Sequence, residues 1–333
     1  MKIDVGIGAD LSSTGRRTTA AEAAGIDCVW AAETVNDPFL SLAIAAEHSR
    51  RVSIGTAIAV AFARNPMSVA YTANQLHEFS RGRMVLGLGT QVRSHIEKRF
   101  GAEWSHPAAR MREFVLALRA IWGSWNEGTK LHFEGEFYRH TLMTPVFAPR
   151  PNEFGAPKVF LAAVGPRMTE AAGEVADGVI THGVSSPRYL REVTLPALGR
   201  GLAASGRARA DVEVTCPGFI AVADTDEQLP KARASMRRHL AYYASTPAYR
   251  PVLTLHGWGD LQTDLYACSK RGAWDDMEAL VGDDVLDTLT IVATPGTVAG
   301  EIAARYGGLV DRITVSWWRK EWGPAVNDEL RSL

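Results

Sequence analysis

Ser80-Arg81-Gly82-Arg83-Met84-Val85-Leu86-Gly87-Leu88-Gly89-Thr90 reads as the end of a helix, an apolar strand over Met84 to Leu88, and a glycine that closes it. Two glycines one residue apart at a strand end resemble the start of a dinucleotide fingerprint. That fingerprint needs a third glycine, and Thr90-Gln91-Val92-Arg93 supplies none. The stretch also lies in the fourth strand–helix unit of the chain, not the first. The glycines therefore serve one of two ends: they let a planar ligand lie on the strand end, or they let neighbouring strands pack tightly.

The same alternation continues on both sides. Towards the N-terminus, Ile3 to Gly8, Cys28 to Ala31 and Val52 to Val60 read as strands. The spacing predicts helices over Thr18 to Ala24, Pro38 to Arg50 and Pro66 to Ser80, with proline suited to a first turn. Towards the C-terminus, strands are predicted over Val159 to Ala163, Val179 to Thr181, Val212 to Ala223 and Arg312 to Ser316. Helices are predicted over Arg110 to Trp122, Arg167 to Ala176, Tyr189 to Ala204, Glu227 to Ala244 and Thr297 to Tyr306. Lys130 to Arg139 is a hairpin candidate turning at Glu134-Gly135. Thr246 to Leu289 is irregular and mostly helical, and Trp317, Trp318 and Trp322 precede a short terminal helix. Strands alternating with helices imply parallel pairing. Eight such strands, beginning at Ile3, Cys28, Ile54, Met84, Val159, Val179, Val212 and Arg312, point to one α/β domain over residues 1–333. Its fold is a single (β/α)8 TIM barrel with a helical insertion, about 224–310, before the last strand.

Composition narrows the function. The chain has 333 residues, 36 Lys+Arg against 37 Asp+Glu, and a formal net charge of −1. Such a balance argues against a nucleic-acid binder, which needs positive charge to neutralise phosphates. No apolar stretch approaches the ~18 residues of a membrane span. Cys28, Cys216 and Cys268 are too few and too scattered for a disulfide framework or a zinc site, which fits a reducing cytoplasm. The N-terminus shows no signal peptide, and no HExxH, HxH or G-x-S-x-G pattern appears.

Barrel active sites sit at the C-terminal ends of the strands. That rule selects Gly8 and Asp10, then Glu33, Thr34 and Asp37, then Ile58 to Asn65. It further selects Gly89, Thr90, Gln91 and His95, then Val164, Gly165, Pro166 and Arg167, then Thr181 and His182. Val164-Gly165-Pro166-Arg167 is either an ordinary strand-to-helix turn or a phosphate seat, in which helix N–H groups and Arg167 meet an anion. Glu33 ends an apolar strand and is either an acid/base group or half of a structural ion pair. Tyr249, His256, Trp258, Tyr266 and Trp274 in the insertion either line a pocket or pack on their own helices. No Lys stands at these strand ends, against a Schiff-base aldolase.

These stretches together resemble the luciferase-like monooxygenase superfamily, in its coenzyme F420-dependent oxidoreductase branch. The resemblance rests on Ala21 to Trp30 with Glu33, Gly55 to Ile58 with Arg64-Asn65-Pro66, and Ser80 to Thr90. It extends through Phe100-Gly101, Phe133-Glu134-Gly135, Ala163 to Pro166, Ala176-Asp177-Gly178 and Thr294-Pro295-Gly296. It implies a barrel with coenzyme F420 at the strand C-termini, FMN being the alternative cofactor. It also implies hydride transfer to or from a small-molecule substrate, with Glu33 or His95 as proton relay. The alternatives are an FMN-dependent two-component monooxygenase and a non-catalytic flavin-binding barrel. By position it places Thr34 near the ring, Ile58 and Ala59 in a bulge behind it, and Thr90 and Gln91 at its edge. Val164, Gly165, Pro166 and Arg167 fall on the phosphate side, with His182 beside them. A non-prolyl cis peptide is expected at Ile58-Ala59 or Ala59-Val60. Glu33 and Thr34 stand where the sugar-phosphate dehydrogenase branch has Asp and His, and Val92 replaces an acidic residue there, which argues against that substrate. Members are often dimers, so a homodimer is the expectation.

Overall fold

The computed structural model describes residues 1–315 and Glu329. Eight parallel strands close on themselves: Lys2–Gly6, Cys28–Ala31, Ser53–Thr56, Met84–Gly89, Lys158–Ala162, Gly178–Ile180, Glu213–Cys216 and Arg312–Val315. They are referred to below as strands one to eight. Strand one pairs with strand two (Val5 with Val29) and with strand eight (Val5 with Val315), so no edge is left open. All eight expected strand positions fall in this barrel. Ser316, Trp317, Trp318, Trp322 and the expected terminal helix lie outside the described residues.

Side chains alternate along each strand, so the barrel has an inner and an outer layer. Ile3, Val5, Val29, Ile54, Leu86, Leu88, Val159, Leu161, Val179 and Ile313 are buried beneath the surrounding helices. They pack against helix residues such as Leu42, Ala45, Ala73, Phe114, Leu118 and Ile302. The interior holds Cys28, Trp30, Phe160 and Ile180. Two large rings fit there because glycine stands opposite each. A Cβ on Gly55 would lie 2.3 Å from the Trp30 ring, and one on Gly178 would lie 2.6 Å from the Phe160 ring.

Below the rings the interior is charged. Asp4, fully buried, accepts from Trp30 Nε1 at 3.0 Å and from Arg312 Nε and Nη2 at 2.8 and 2.6 Å. Arg312 Nη1 reaches Glu213 at 2.9 Å, as does Lys2 Nζ, and Lys158 Nζ lies 3.3 Å from the same carboxylate. Burial pushes the Glu213 carboxyl up, but the bonds from Lys2 and Arg312 outweigh it and hold the group down at about 2. A depressed carboxyl stabilises the fold above its ordinary value of 4.5, and that contribution is lost as pH falls towards about 2. The urea midpoint of the wild type is therefore expected to fall from pH 5 to pH 3 more steeply than that of Glu213→Gln. Equal slopes would show that this carboxylate is not linked to folding.

The N-terminal rim of the barrel is fastened by aspartates. Asp27, Asp177 and Asp311 stand just before strands two, six and eight. Each uses its own N–H and its carboxylate on one residue of the preceding strand. Asp27 thus bonds the O and N of Ile3 (2.8 and 2.8 Å), Asp177 those of Val159 (2.7 and 2.7 Å), and Asp311 those of Val214 (2.9 and 2.7 Å). Before strand four the place is taken by Arg83, whose guanidinium donates to the carbonyls of Val52 (2.6 Å) and Ser49 (3.1 Å) at the start of strand three.

Three expectations need correction. The first helix is Leu11–Ala23, not Thr18 to Ala24, because the Asp10 carboxylate accepts from Ser12 N–H and caps it. The strand expected over Val212 to Ala223 breaks at Pro217-Gly218 into Glu213–Cys216, in the barrel, and Phe219–Val222, outside it. Phe219–Val222 pairs in parallel with Thr290–Ala293, so the segment before strand eight is not helical throughout. Its helices, including Leu229–Ala244 and Gly259–Arg271, bury a core of their own around Met236, Leu240, Leu253, Leu265 and Leu286. The hairpin is present but short: Phe133–Glu134 pairs with Arg139–His140. The Glu113 carboxylate holds its turn by accepting from the N–H groups of Glu136, Phe137 and Tyr138.

Candidate active site

The C-terminal ends of the strands bring several expected residues to one mouth. Strand three is interrupted after Thr56 and resumes as Ala59–Val60, paired with Leu88 and Gly89 of strand four. The interruption contains a cis peptide, at Ala57-Ile58 rather than at Ile58-Ala59 or Ala59-Val60. Ile58 is partly exposed and rests on the interior cluster. A Cβ on Gly89 would lie 2.8 Å from its Cγ1. Gly89 and Ala162 therefore leave room at the top of the barrel that Ile58 enters. Ala59 is fully buried, so it can meet a ligand only through its neighbours.

Glu33 follows strand two, and its side chain is 8% exposed. Its N–H donates to Ile58 O (3.1 Å), and its Oε2 accepts from Val60 N–H (2.7 Å) and Arg64 Nη1 (2.5 Å). Of the two sequence readings, the geometry realises the ion pair. Its partner Arg64, thirty-one positions on, also donates to Val60 O (3.1 Å) and to Asp37 Oδ2 (2.8 Å). Asp37 in turn caps the helix Pro38–Glu47 by accepting from Phe39 N–H. Arg64 lies in the stretch Ile58 to Asn65 selected after strand three, with no role of its own assigned there. An acid after strand two and a base after strand three was the available signal.

Strand four ends at Gly89 and is followed by Thr90 and Gln91. Gln91 adopts φ 62°, and its side-chain oxygen accepts from Val92 N–H, opening the short helix Arg93–Lys98. Its six residues are too few for a helical period to mark it in the sequence. His95 lies on it, exposed, with no side-chain hydrogen bond or ion pair among the described residues. Thr34 is exposed, and its carbonyl accepts from Arg99 at 2.7 Å, which ties the loop after strand two to that helix.

Strand five leads through Val164 and Gly165 into the helix Pro166–Val175. No side chain caps this helix. Pro166 has no N–H, so the N–H groups of Arg167 and Met168 are the open donors of the first turn. A Cβ on Gly165 would meet nothing within 4 Å. Arg167 is exposed and forms no ion pair among the described residues. The Val164 carbonyl accepts from Tyr189 Oη at 3.1 Å.

His182, after strand six, is committed elsewhere. Its ring stacks on Tyr249 (4.1 Å, 20°) and meets Phe219 and Tyr243 edgewise or tilted. Burial, then the neighbouring His239, pushes its pKa down to about 3. Nδ1 accepts from Val184 N–H, which leaves the ring proton on Nε2. The imidazole is neutral at ordinary pH. Among the insertion aromatics, Tyr249 and His256 reach back to the segment after strand six, His256 through Ser186 Oγ at 2.7 Å. Trp258 stacks on His256, while Trp274 stays half-exposed beside Tyr242.

The model of the luciferase-like monooxygenase family matches residues 3–312. A Mycobacterium tuberculosis protein of uncharacterised function is 52% identical over 313 residues, covering 94% of this chain and 92% of its own. The 5,10-methylenetetrahydromethanopterin reductase of Archaeoglobus fulgidus is 28% identical over 290 residues, covering 85% and 82%. Among solved structures, the coenzyme F420 dependent tetrahydromethanopterin reductase from Methanopyrus kandleri superposes with a TM-score of 0.81 at 18% identity, covering 100% of this chain and 98% of that one.

Proposed function

Because the chain belongs to the luciferase-like monooxygenase family, we propose that it is a coenzyme F420-dependent oxidoreductase acting on a small organic substrate. The observation that carries the reading is the open anion seat at strand five. A helix start without a side-chain cap, an unobstructed Gly165 and an Arg167 with no ion pair among the described residues lie together at the mouth of the barrel. These residues fit a phosphorylated cofactor: N–H donors and a guanidinium favour a phosphate there. Ile58, with Gly89 and Ala162 beneath it, offers an apolar surface for a planar ring. Thr90 and Gln91, which follow Gly89, are the residues we assign to the edge of that surface. The reductase named among the relatives supports redox chemistry on carbon.

Bound coenzyme F420 supplies a hydride-transferring carbon, C5 of the deazaflavin. The chain's own work is to hold that carbon against the substrate, keep water out, and handle the accompanying proton. His95 is the group we assign to the proton, through an imidazole nitrogen, because its side chain is uncommitted and follows strand four. Glu33 is occupied by Arg64 and by Val60 N–H.

Fluorescence titration of the purified chain with oxidised F420, FMN and NADP tests the cofactor. F420 is expected to bind at least about tenfold tighter than the other two. Tight FMN binding with oxygen consumption by reduced FMN would instead make it a monooxygenase. With any substrate from a panel of ketones, alcohols and imines that turns over, His95→Ala is expected to lower kcat by about a hundredfold and leave the cofactor Kd unchanged. Unaltered kcat would remove His95 from the proton path.

A further inference from the structure

Resting on the cofactor reading above, we infer that Arg64 is a positioning residue that fixes the surface on which the cofactor ring lies. Its guanidinium joins three separate parts of the mouth. Nη1 donates to Glu33 Oε2, after strand two, and to the Val60 carbonyl, in the resumed part of strand three. Nη2 donates to Asp37 Oδ2, at the start of the helix Pro38–Glu47. Glu33 passes this hold on from both ends of the intervening segment, by donating to Ile58 O and accepting from Val60 N–H. The ion pair, whose side chains are 18% and 8% exposed, thus grips Val60 at its carbonyl and its N–H, while the Glu33 backbone N–H holds the Ile58 carbonyl. Phe39 covers the guanidinium at 5.5 Å.

The consequence for a ligand comes through Ile58. Its side chain is the apolar group that enters the space above Gly89 and Ala162. The segment carrying it has only a two-residue ladder, Ala59 with Leu88 and Val60 with Gly89, to hold its far end. Without the guanidinium, Glu33 keeps a charge with one N–H donor, and the Val60 carbonyl loses its side-chain partner. Ile58 is then held by the Glu33 backbone N–H and the short ladder without the side-chain brace at Val60, and shifts more readily against a ring lying on it. Lysine cannot replace arginine here, because one ammonium does not present the forked donors that reach Glu33, Val60 and Asp37 at once.

The test titrates the full chain with oxidised F420 and with FMN, following binding and the absorption band of the bound chromophore. Arg64→Ala is expected to fold by circular dichroism, to raise the cofactor Kd at least about tenfold, and to move the bound band towards that of the free cofactor. Low-millimolar guanidinium is expected to recover much of the loss, and sodium at equal ionic strength to recover none. Arg64→Lys is expected to remain weak. A Kd within about twofold of wild type with an unshifted band overturns the inference, as does full recovery in Arg64→Lys without guanidinium rescue. If Arg64→Ala does not fold, Arg64→Lys decides alone by the same Kd criterion. A wild-type chain that binds neither F420 nor FMN defeats the cofactor reading itself, before any variant is compared.

Discussion

Gly87→Ala is expected to yield no stable barrel. A Cβ at this position would lie 1.9 Å from the Thr56 carbonyl oxygen and 2.9 Å from Ile180 Cδ1. The first contact is with backbone, which cannot rotate away. Thr56 Oγ1 is meanwhile bonded to the Gly87 carbonyl at 2.6 Å, and strands three and four are locked below by the pairs Ile54–Met84 and Gly55–Val85. Relief would require separating two strands of a closed cylinder. The cost exceeds the ~1–3 kcal/mol of ordinary overpacking, so expression as insoluble protein or a collapse of the urea midpoint is the expected result. Gly165→Ala is the control. Its φ is −86° and its Cβ would meet nothing within 4 Å; the entropy gained offsets the poorer N-cap, so its stability should stay within about 1 kcal/mol of wild type. Equal stability of the two variants would refute the packing argument.

The second large effect concerns the charged floor of the barrel. Among the described residues, Arg312→Met leaves the buried Asp4 carboxylate with the Trp30 N–H as its one hydrogen-bond partner. Breaking one side of such a pair costs about 3–5 kcal/mol. The double variant Asp4→Asn/Arg312→Met keeps an acceptor for Trp30 Nε1 and removes the stranded charge. It is expected to recover most of the loss. Urea midpoints of the two single variants and the double variant form a cycle whose coupling should reach ~2 kcal/mol or more. Additive losses would mean that the pair does not act as a unit.

Much of the barrel is legible in the sequence because each inner strand is a short apolar run between amphipathic helices. That signal located all eight strands. It failed where local chemistry overrode it. Ser12 to Arg17 is polar, so the first turns of Leu11–Ala23 show no apolar face, and only the Asp10 cap marks them. Thr290-Ile291-Val292-Ala293 is β-branched and strand-like, but its helical surroundings masked it. At the mouth, the positions of Glu33, Ile58, Thr90, Gln91, Gly165 and Arg167 after their strands followed from barrel topology alone. Partnerships did not. Glu33 with Arg64, and His182 with Tyr249, join residues 31 and 67 positions apart, and no periodicity encodes such distances.

The fastenings on the opposite rim have a bearing on how the chain could be cut and rejoined. Asp27 belongs to strand two but grips strand one, Arg83 grips the approach to strand three from strand four, Asp177 links six to five, and Asp311 links eight to seven. The backbone carbonyls of the three aspartates also accept from the next strand, at Ser53, Glu213 and Lys2, but the side-chain fastenings join the strands as four buckled couples. A splice after strand two, four or six keeps every buckle whole. One after strand one, three, five or seven leaves a buckle with half its parts on each fragment. Chimaeras with related barrels have natural seams at the former places on this rim, while on the far rim the Glu33–Arg64 pair spans the seam after strand two and calls for both of its residues from one parent.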